Sequence, residues 1–520
     1  INEINRLCNI ADKDILIYLG DTDSRIGISV NQYFIFNSWK YQMLASELLG
    51  SKWLDEHEDI DITGIAYDSR NVLPGNIFVC IKGFETDGHK YAEMAVKNGA
   101  SLIVAEDKID VDVPVWYVEN SRIEIAEMAC KYYGNPSSKF KLIGITGTNG
   151  KTTITYLIKS IVETAGMRIG VIGTNQNIIG DKVLVTQSTT PTTPNALELQ
   201  QLFAEMVDSD AECVVMEVSS HALELERVHG CHFDVGVFTN LTRDHLDFHK
   251  TMENYLNAKA KLFKISDKGV VNFDDDGGKK IVANNDCDIL KVGLSDGCDL
   301  KAKNIEISSS GADFDVEYDG KTYRVHIVIP GKFSVYNAIC AMGAALQMGI
   351  DMDTIIKGLE NATGVVGRVE VVPTNTDYTV IIDYAHTPDG LENIIKTVKD
   401  FAKGEVITLF GCGGDRDNTK RPIMGEIAGK LSDYSIITSD NPRTEDPVSI
   451  IEQIEVGMKR TDGKYKVIVD RREAIAYALD HAKKDDVIIL AGKGQETYQI
   501  IGKEKHDFDE RVVVYKHLNK

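Results

Sequence analysis

Along most of this chain, short and continuously apolar runs alternate with longer segments whose apolar residues recur at helical spacing. Ile77-Phe78-Val79-Cys80-Ile81, Leu102-Ile103-Val104-Ala105 and Val113-Pro114-Val115-Trp116 are the first such runs. They are too short for helices and lack the polar alternation of a strand with one wet face, so they predict buried strands of a largely parallel sheet. The pattern continues at Cys213 to Val218, Asp234 to Phe238 and Gly269 to Asn272. It restarts after Arg368, at Tyr378 to Asp383, Val406 to Phe410, Tyr434 to Thr438 and Val487 to Leu490, each separated by a helical segment. Strand and helix in steady alternation predict an α/β protein.

At 520 residues the chain exceeds what one core usually serves, and three domains are expected. The breaks in pattern place a small N-terminal α/β domain at 41–137, a central domain at 138–368 and a C-terminal, Rossmann-like doubly wound domain at 369–520. Residues 1–40 follow neither period. They lack the basic start and apolar stretch of a signal peptide, and read as an appended or poorly ordered extension of unknown role.

The formal charge of −22 argues against nucleic acid as a partner, because such binding rests on clustered Lys and Arg. No apolar run approaches the ~18 residues of a membrane span. Nine cysteines stand singly, with no Cys-x-x-Cys pair, so neither a disulfide framework nor a zinc site is expected and the cytoplasm is the expected compartment. Small-molecule substrates and a monomeric state complete the expectation.

The chemistry begins at Phe140-Lys-Leu-Ile-Gly-Ile-Thr-Gly-Thr-Asn-Gly-Lys-Thr-Thr153. An apolar strand runs into a glycine-rich turn that opens a helix, on which Ile154, Leu157, Ile158, Ile161, Val162 and Ala165 fall at helical spacing. Such a turn lets backbone N–H groups close on phosphate oxygens, while the Lys151 ammonium reaches the terminal phosphates and the Thr152 hydroxyl can hold Mg²⁺. The central domain is therefore expected to be a P-loop mononucleotide-binding domain. Its glycines fall at 144, 147 and 150, and Ile145 stands where the common P-loop has glycine. That departure points away from ordinary kinases and GTPases.

In open parallel sheets, ligands bind beyond the carboxyl ends of the strands. Two such ends carry Glu217, Ser219, Ser220 and His221, and then Asp244, His245 and Asp247. Carboxylates beside a P-loop suit Mg²⁺, a hard cation that takes oxygen ligands. Taken alone, His245 reads first as a hydrogen-bonded structural histidine, and its acidic neighbourhood sets a ligand reading beside it.

Five stretches, in this order, resemble the motif set of the Mur ligases: Thr146-Gly-Thr-Asn-Gly-Lys-Thr152, Met216-Glu-Val-Ser-Ser-His221, Asn240-Leu-Thr-Arg-Asp-His-Leu-Asp247, Gly367-Arg-Val-Glu370 and Asp383-Tyr-Ala-His-Thr-Pro-Asp389. The likeness runs from about Ser69 to Arg511 and is strongest to the branch that adds meso-diaminopimelate. The resemblance implies that ATP phosphorylates the terminal carboxylate of UDP-N-acetylmuramoyl-L-alanyl-D-glutamate, and that an amine then displaces phosphate to form an amide in peptidoglycan precursor synthesis. A carboxylate is a poor electrophile, and bringing it against ATP requires cations. The resemblance supplies them as Lys151, Arg368 and two Mg²⁺ ions. It places Gly147, Thr148, Asn149, Gly150, Lys151, Thr152, Thr153, Asn272, Asn337, Arg368, Asp383 and His386 around ATP. Thr152, Glu217, His245 and Lys259 would hold metal. On its own, Lys259 reads as a solvated helix lysine. Only the resemblance makes it N6-carboxylysine, an anionic oxygen ligand in place of an ammonium that would repel the metal.

The resemblance also implies that residues 41–137 bind the UDP-sugar, with Tyr67, Ser69, Phe84, Glu85 and Thr86 on the nucleotide sugar and Thr192, Thr193, Ser219 and Arg227 on the muramoyl dipeptide. Pro191, Leu225 and Gln495 depart from the Asn, Gln and His common there. In the third domain, the strand ends are followed by Gly411 to Arg416, Ser439 to Arg443 and Ala491 to Glu496, which would converge on one pocket. Asp446-Pro447 starts the next helix as N-cap and first-turn proline. Asp440-Asn441-Pro442-Arg443 alone could be a plain turn. Its placement favours a ligand role, and it resembles the form carried by ligases that add meso-diaminopimelate. Arg416 and Arg443 could grip carboxylates bidentately, Glu496 could take the distal ammonium, and Gly492 would line the site. The lysine-adding version, a sister Mur ligase and a nucleotide-binding regulatory protein without catalysis stand as alternatives.

Overall fold

The computed structural model describes residues 42–519 apart from Glu85, Asp181, 185–189, Pro191 and Ser309. The extension expected over 1–40 lies outside them. Two compact units meet between Gly134 and Asn135.

The first unit is built on a four-stranded parallel sheet, β1 (Gly64–Ala66), β2 (Asn76–Val79), β3 (Leu102–Ala105) and β4 (Val115–Tyr117), in that order. β2 and β3 are buried throughout, as their unbroken apolar sequence requires. Helix α1 (Ser121–Tyr132) closes the unit, capped by the Asn120 side chain.

The second unit holds two large sheets. The P-loop strand β5 (Lys141–Thr146) leads into α2 (Lys151–Thr164), whose buried Ile154, Leu157, Ile158, Ile161 and Val162 form the stripe expected from their spacing. Next come β6 (Ile169–Ile172), β7 (Asn177–Ile179), β8 (Lys182–Leu184), α3 (Ala196–Asp208), β9 (Cys213–Glu217), β10 (Phe233–Phe238), α4 (Met252–Lys264), β11 (Ser266–Asn272) and β12 (Asp288–Gly293). The strands β13 (Leu300–Ser308), β14 (Gly311–Tyr318) and β15 (Lys321–Ile327) extend this sheet as an antiparallel meander before helix α5 (Lys332–Gln347). The order is β8-β7-β6-β9-β5-β10-β11-β12-β13-β14-β15, with β6 to β12 parallel. β5 therefore lies between β9 and β10, the strands that end at Glu217 and before Asp244.

The C-terminal sheet runs β16 (Glu370–Val372), β17 (Thr379–Asp383), β18 (Val406–Phe410), β19 (Tyr434–Ile437), β20 (Tyr465–Val467) and β21 (Val487–Ala491) in the order β16-β17-β21-β18-β19-β20. All but the edge pair β16 and β17 are parallel, so the loops after β17, β21, β18 and β19 leave the same edge. Helices lie between the strands, among them α6 (Pro388–Lys399), α7 (Lys420–Leu431), α8 (Pro447–Met458), α9 (Arg471–His481) and α10 (Glu510–Leu518). Asp446 caps α8 by accepting from Ser449 N at 2.9 Å, as its sequence predicts. One apolar cluster runs from Ile145 and Ile158 through Val335 and Ile339 to Ile394, Ile395 and Ile437, joining the two sheets of this unit. No helix among the described residues is long and apolar enough to cross a membrane.

Candidate functional site

The turn after β5 is shaped by what a side chain would hit. Gly147 sits at φ 149°, and a Cβ there would lie 1.9 Å from Thr239 Oγ1. Gly150, at φ 88°, caps α2 with no side-chain bond to the helix, which leaves the first N–H groups of α2 open to an anion. Lys151 Nζ folds back onto the carbonyls of Gly147 (2.9 Å) and Thr148 (3.0 Å), the posture of a P-loop lysine over its own loop. Asn149 N donates to Asn240 Oδ1 at 2.9 Å, while Thr148 Oγ1 contacts Thr242 O and Tyr255 OH, both at 3.3 Å. Thr152 and Thr153 are buried.

Beside the turn, Glu217 is 1% exposed and accepts from Thr152 Oγ1 (2.9 Å), Thr174 N (2.9 Å) and Thr174 Oγ1 (3.1 Å). Across β5, His245 occupies a left-handed conformation at φ 52°, with its Nε2 3.4 Å from Asp244 Oδ2. Its ring stands 4.8 Å from that of His221, edge to face, and His221 in turn neighbours Phe248 and His249. Burial first, and then His245, His249 and Arg227, push the His221 imidazole down to about 4. Partial burial likewise lowers His245, whose side chain is half exposed, so these rings favour the unprotonated form at neutral pH.

Lys259 is 1% exposed, and its Nζ lies 4.3 Å from the Tyr255 ring centroid, with no hydrogen bond or ion pair to it among the described residues. Burial, reinforced by the Lys151 charge, depresses its pKa well below the ordinary lysine value. The shift favours the neutral amine, the nucleophilic form of lysine. Lys151 is lowered by burial and by Arg368, while Glu217 and Asp244 oppose the shift.

Arg368 reaches this region on a strained loop. Val369, a β-branched residue, holds φ 45°, and its N–H donates to Asp383 Oδ2 at 2.8 Å. Asp383 Oδ1 accepts from Ala385 N at 2.8 Å, so both oxygens brace loop backbone. The Arg368 guanidinium stacks 4.7 Å over Tyr384, and its Nε is buried with no hydrogen-bond partner among the described residues. An orphaned buried donor of this kind is costly unless a ligand supplies the acceptor. The His386 ring lies 4.6 Å from Tyr384. Asn337 lies against the P-loop, its Oδ1 2.4 Å from where a Cβ on Gly150 would be, whereas the Asn272 amide is occupied by Thr239 O at 2.8 Å and Asp274 N at 3.2 Å.

Among the residues expected at the dipeptide, Thr193 Oγ1 accepts from Ser219 N at 3.0 Å and donates to Glu217 O at 3.0 Å, and Arg227 Nη1 donates to Thr193 O at 3.1 Å. Thr192 holds a left-handed φ of 72°, with its hydroxyl 2.9 Å from that of Thr174. In the first unit, Ser69 is buried, Phe84 is 75% exposed, Thr86 Oγ1 lies 3.2 Å from Tyr91 OH, and Tyr67 is part-buried. Glu85 and Pro191 lie outside the described residues.

The loops after β18, β19 and β21 do meet. Asn441 Nδ2 donates to Glu496 Oε2 at 2.9 Å, and Arg443, at φ 52°, donates from NH1 to Gly414 O at 2.8 Å. Gly492, at φ 115°, has Asp440 Oδ2 2.8 Å from its would-be Cβ. Pro442 O leaves no room for a Cβ at Gly414, at 1.9 Å. Arg416 is exposed and, among the described residues, bonds only to Asp415 O at 2.9 Å. Burial would raise the Asp440 carboxyl, but Lys493 and then Arg471 hold it below the usual carboxylate value.

The sequence did not single out several residues that hold this pocket. Arg421, 0% exposed, forks onto both oxygens of Glu445 at 2.9 Å and reaches Gly413 O at 3.1 Å. Arg471 and Glu510 form a fully buried pair at 2.8 Å. Lys493 joins Asn441 to Glu496. At the P-loop, Asp389, the last residue of the fifth motif, accepts from Asn149 Nδ2 at 2.8 Å and Thr242 Oγ1 at 3.0 Å, tying α6 to that turn. For Lys493 there was a signal, a lysine between two glycines directly after a wholly apolar strand; for the arginines there was none.

Family models match residues 61–138 as Mur ligase family, catalytic domain, 145–345 as Mur ligase middle domain and 367–494 as Mur ligase, glutamate ligase domain. A curated relative from Caldanaerobacter subterraneus subsp. tengcongensis, named UDP-N-acetylmuramoyl-L-alanyl-D-glutamate--2,6-diaminopimelate ligase, is 50% identical over 459 residues, 88% of this chain and 94% of the relative. One of the same name from Clostridium tetani is 49% identical over 468 residues, 89% and 96% of the two chains. A solved structure with that name matches at a TM-score of 0.66 and 34% identity, covering 88% of this chain and 95% of its own. The Thermotoga maritima MurF ligase in complex with ADP shares the fold, with a TM-score of 0.59 at 20% identity over 88% of this chain and 96% of its own.

Proposed function

The chain belongs to the Mur ligase family, and from that premise we propose that it joins meso-diaminopimelate to UDP-N-acetylmuramoyl-L-alanyl-D-glutamate in an ATP-dependent reaction. The γ-phosphoryl group of ATP passes to the terminal carboxylate of the dipeptide, giving an acyl phosphate and ADP. The amine of diaminopimelate then attacks that carbonyl, phosphate leaves, and an amide remains.

The observation that carries this reading is one cluster: a P-loop lysine, the buried Glu217 on Thr152, the unpaired Lys259 amine, and Arg368 with an orphaned Nε. Lys151, the open N-terminus of α2 and Arg368 would take the phosphates, and their positive charge would offset what develops as two anions approach. Tyr67, Ser69, Phe84 and Thr86 would take the nucleotide sugar; Thr192, Thr193, Ser219 and Arg227 would take the dipeptide. The donor set fits Mg²⁺ at Thr152 and Glu217, whose hydroxyl and carboxylate are hard oxygens. His245 and Lys259 suit a second ion only if the lysine is carboxylated, and its depressed pKa favours the neutral amine that adds CO₂. Bound there, Mg²⁺ would polarise phosphoryl and acyl oxygens. The amine substrate would lie at Asp440, Asn441, Arg443, Gly492 and Glu496. Residues and substrates of this kind suit the cytoplasm.

The test incubates the protein with ATP, Mg²⁺ and the UDP-muramoyl dipeptide, and measures phosphate release with meso-diaminopimelate, L-lysine or neither. Release that depends on diaminopimelate is expected. A preference for lysine would move the chain to the lysine-adding branch, and no dependence on an amino acid would refute the ligase reading.

A further inference from the structure

The third-domain pocket holds a cation that no substrate contact accounts for. Lys493 follows the fully buried β21 and is itself 0% exposed. A lysine this deep is costly unless its ammonium is paired, and here each pairing ends on a pocket residue. Its Nζ donates to Asn441 Oδ1 and to Glu496 Oε2, both at 3.1 Å. Asn441 Oδ1 also accepts from Ile500 N at 3.0 Å, so two donors determine which end of the amide faces them. The Nδ2 end is left to donate to Glu496 Oε2 at 2.9 Å. One oxygen of Glu496 thus receives both donors, and Oε1 has no partner among the described residues. The rings of Tyr498 and Phe508 stand 5.9 and 5.8 Å from the same ammonium and help to confine it.

Resting on the amino-acid site proposed above, we propose that Lys493 is a positioning residue for the incoming diamino acid: by engaging Asn441 Oδ1 and Glu496 Oε2, it leaves Glu496 with Oε1 alone open to a substrate ammonium. Without Lys493 the Asn441 amide is free to turn, Glu496 loses its fixed orientation, and Asp440 loses the cation that does most to hold its carboxyl down.

Lys493→Met, which keeps the chain length and removes the donors, is expected to raise KM for meso-diaminopimelate by about tenfold or more, with KM for ATP and for the UDP-muramoyl dipeptide within about threefold of wild type. Lys493→Gln, which keeps one donor, should fall between. The deciding readout is a double-mutant cycle with Glu496→Gln: if the lysine acts through Glu496, adding Lys493→Met to Glu496→Gln should change KM by less than about threefold further. Multiplicative effects, or an equal rise in KM for all three substrates, would overturn the proposal. If Lys493→Met shows no folded circular-dichroism spectrum, the Lys493→Gln and Glu496→Gln pair runs the same cycle with the same two outcomes. Wild-type protein that releases no phosphate in response to an amino acid would refute the ligase reading, whereas normal wild-type turnover with multiplicative mutants would refute only the role of Lys493.

Discussion

Replacing the Glu217 carboxylate by its amide isostere separates what the residue holds up from what it would do. Its three hydrogen bonds come from Thr152 Oγ1 and Thr174 N to Oε1 and from Thr174 Oγ1 to Oε2. In Glu217→Gln both bonds to Oε1 can persist, and the new Nε2 meets Thr174 Oγ1, a hydroxyl that accepts as well as donates. The structural loss is one rearranged hydrogen bond, about 0.5–1.5 kcal/mol, a melting shift of no more than about 4 °C. The chemical loss is larger, because the site gives up a full negative charge. Against a cation about 4 Å away at an effective dielectric of about 20, that charge contributes roughly 4 kcal/mol, or about 10³-fold in rate. The assay is amino-acid-dependent phosphate release over a Mg²⁺ titration, with calorimetric melting alongside. A kcat/KM within about tenfold of wild type and an unchanged Mg²⁺ dependence would refute the metal role for Glu217. A melting point lowered by more than about 10 °C would show that the buried carboxylate is chiefly structural.

Arg443→Ala should raise KM for diaminopimelate far more than KM for ATP, by a loss of about 2–4 kcal/mol if the charged pair is desolvated; equal effects on both would show the pocket misassigned. Lys259→Ala should be nearly inactive in the same phosphate-release assay and partly recovered by added short carboxylates, and wild-type turnover without them would exclude a carboxylated lysine from the reaction. Arg511→Ala removes the donor that bridges Glu370 Oε2 (3.0 Å) and Gly494 O (3.4 Å). Initial-rate kinetics should show KM for ATP and for the amino acid rising together, each by about 5–30-fold for a loss of 1–2 kcal/mol, and a change confined to one substrate would break the inferred link.

The buried parallel strands were legible because covering both faces forces an uninterrupted apolar run; Val406–Phe410 begins and ends where its sequence predicts. The start of α2 at Lys151 and the cap at Asp446 were legible from local chemistry alone. The meander β13 to β15 was not singled out. In β13, buried Leu300 and Ala302 alternate with part-exposed Lys301 and Lys303, so a search for unbroken runs passes over it. The pocket divides in the same way. Asn441, Arg443 and Glu496 stand in recognisable strand-end motifs, whereas Arg421 and Arg471 look like the solvated face of a helix. Their burial is decided by Glu445 and Glu510, which arrive much later in the chain, and no local pattern encodes that pairing.

The strained loop of Arg368 and the pocket proposed for the amino acid are tied together. Glu370 Oε2 accepts from Gly367 N at 2.6 Å and from Arg511 NH1 at 3.0 Å, and the same Arg511 nitrogen reaches the carbonyl of Gly494. Gly367 packs so closely on the next turn that a Cβ would lie 2.1 Å from Gln495 N, so only glycine allows the two loops to touch. Arg368 therefore lies on the loop that leads into the C-terminal sheet, braced against the turn that carries Lys493 and Glu496. The P-loop answers from its own side through Asn149 and Thr242, which share Asp389. Two carboxylates, Glu370 and Asp389, thus carry polar links among the glycine-rich turn proposed to hold phosphate, the Arg368 loop and the loop proposed to hold the amine. An enzyme that must set a fresh acyl phosphate against an incoming amine, with water kept out, needs those three parts in fixed relation, and this chain ties them with hydrogen bonds, most of them between loops distant in sequence.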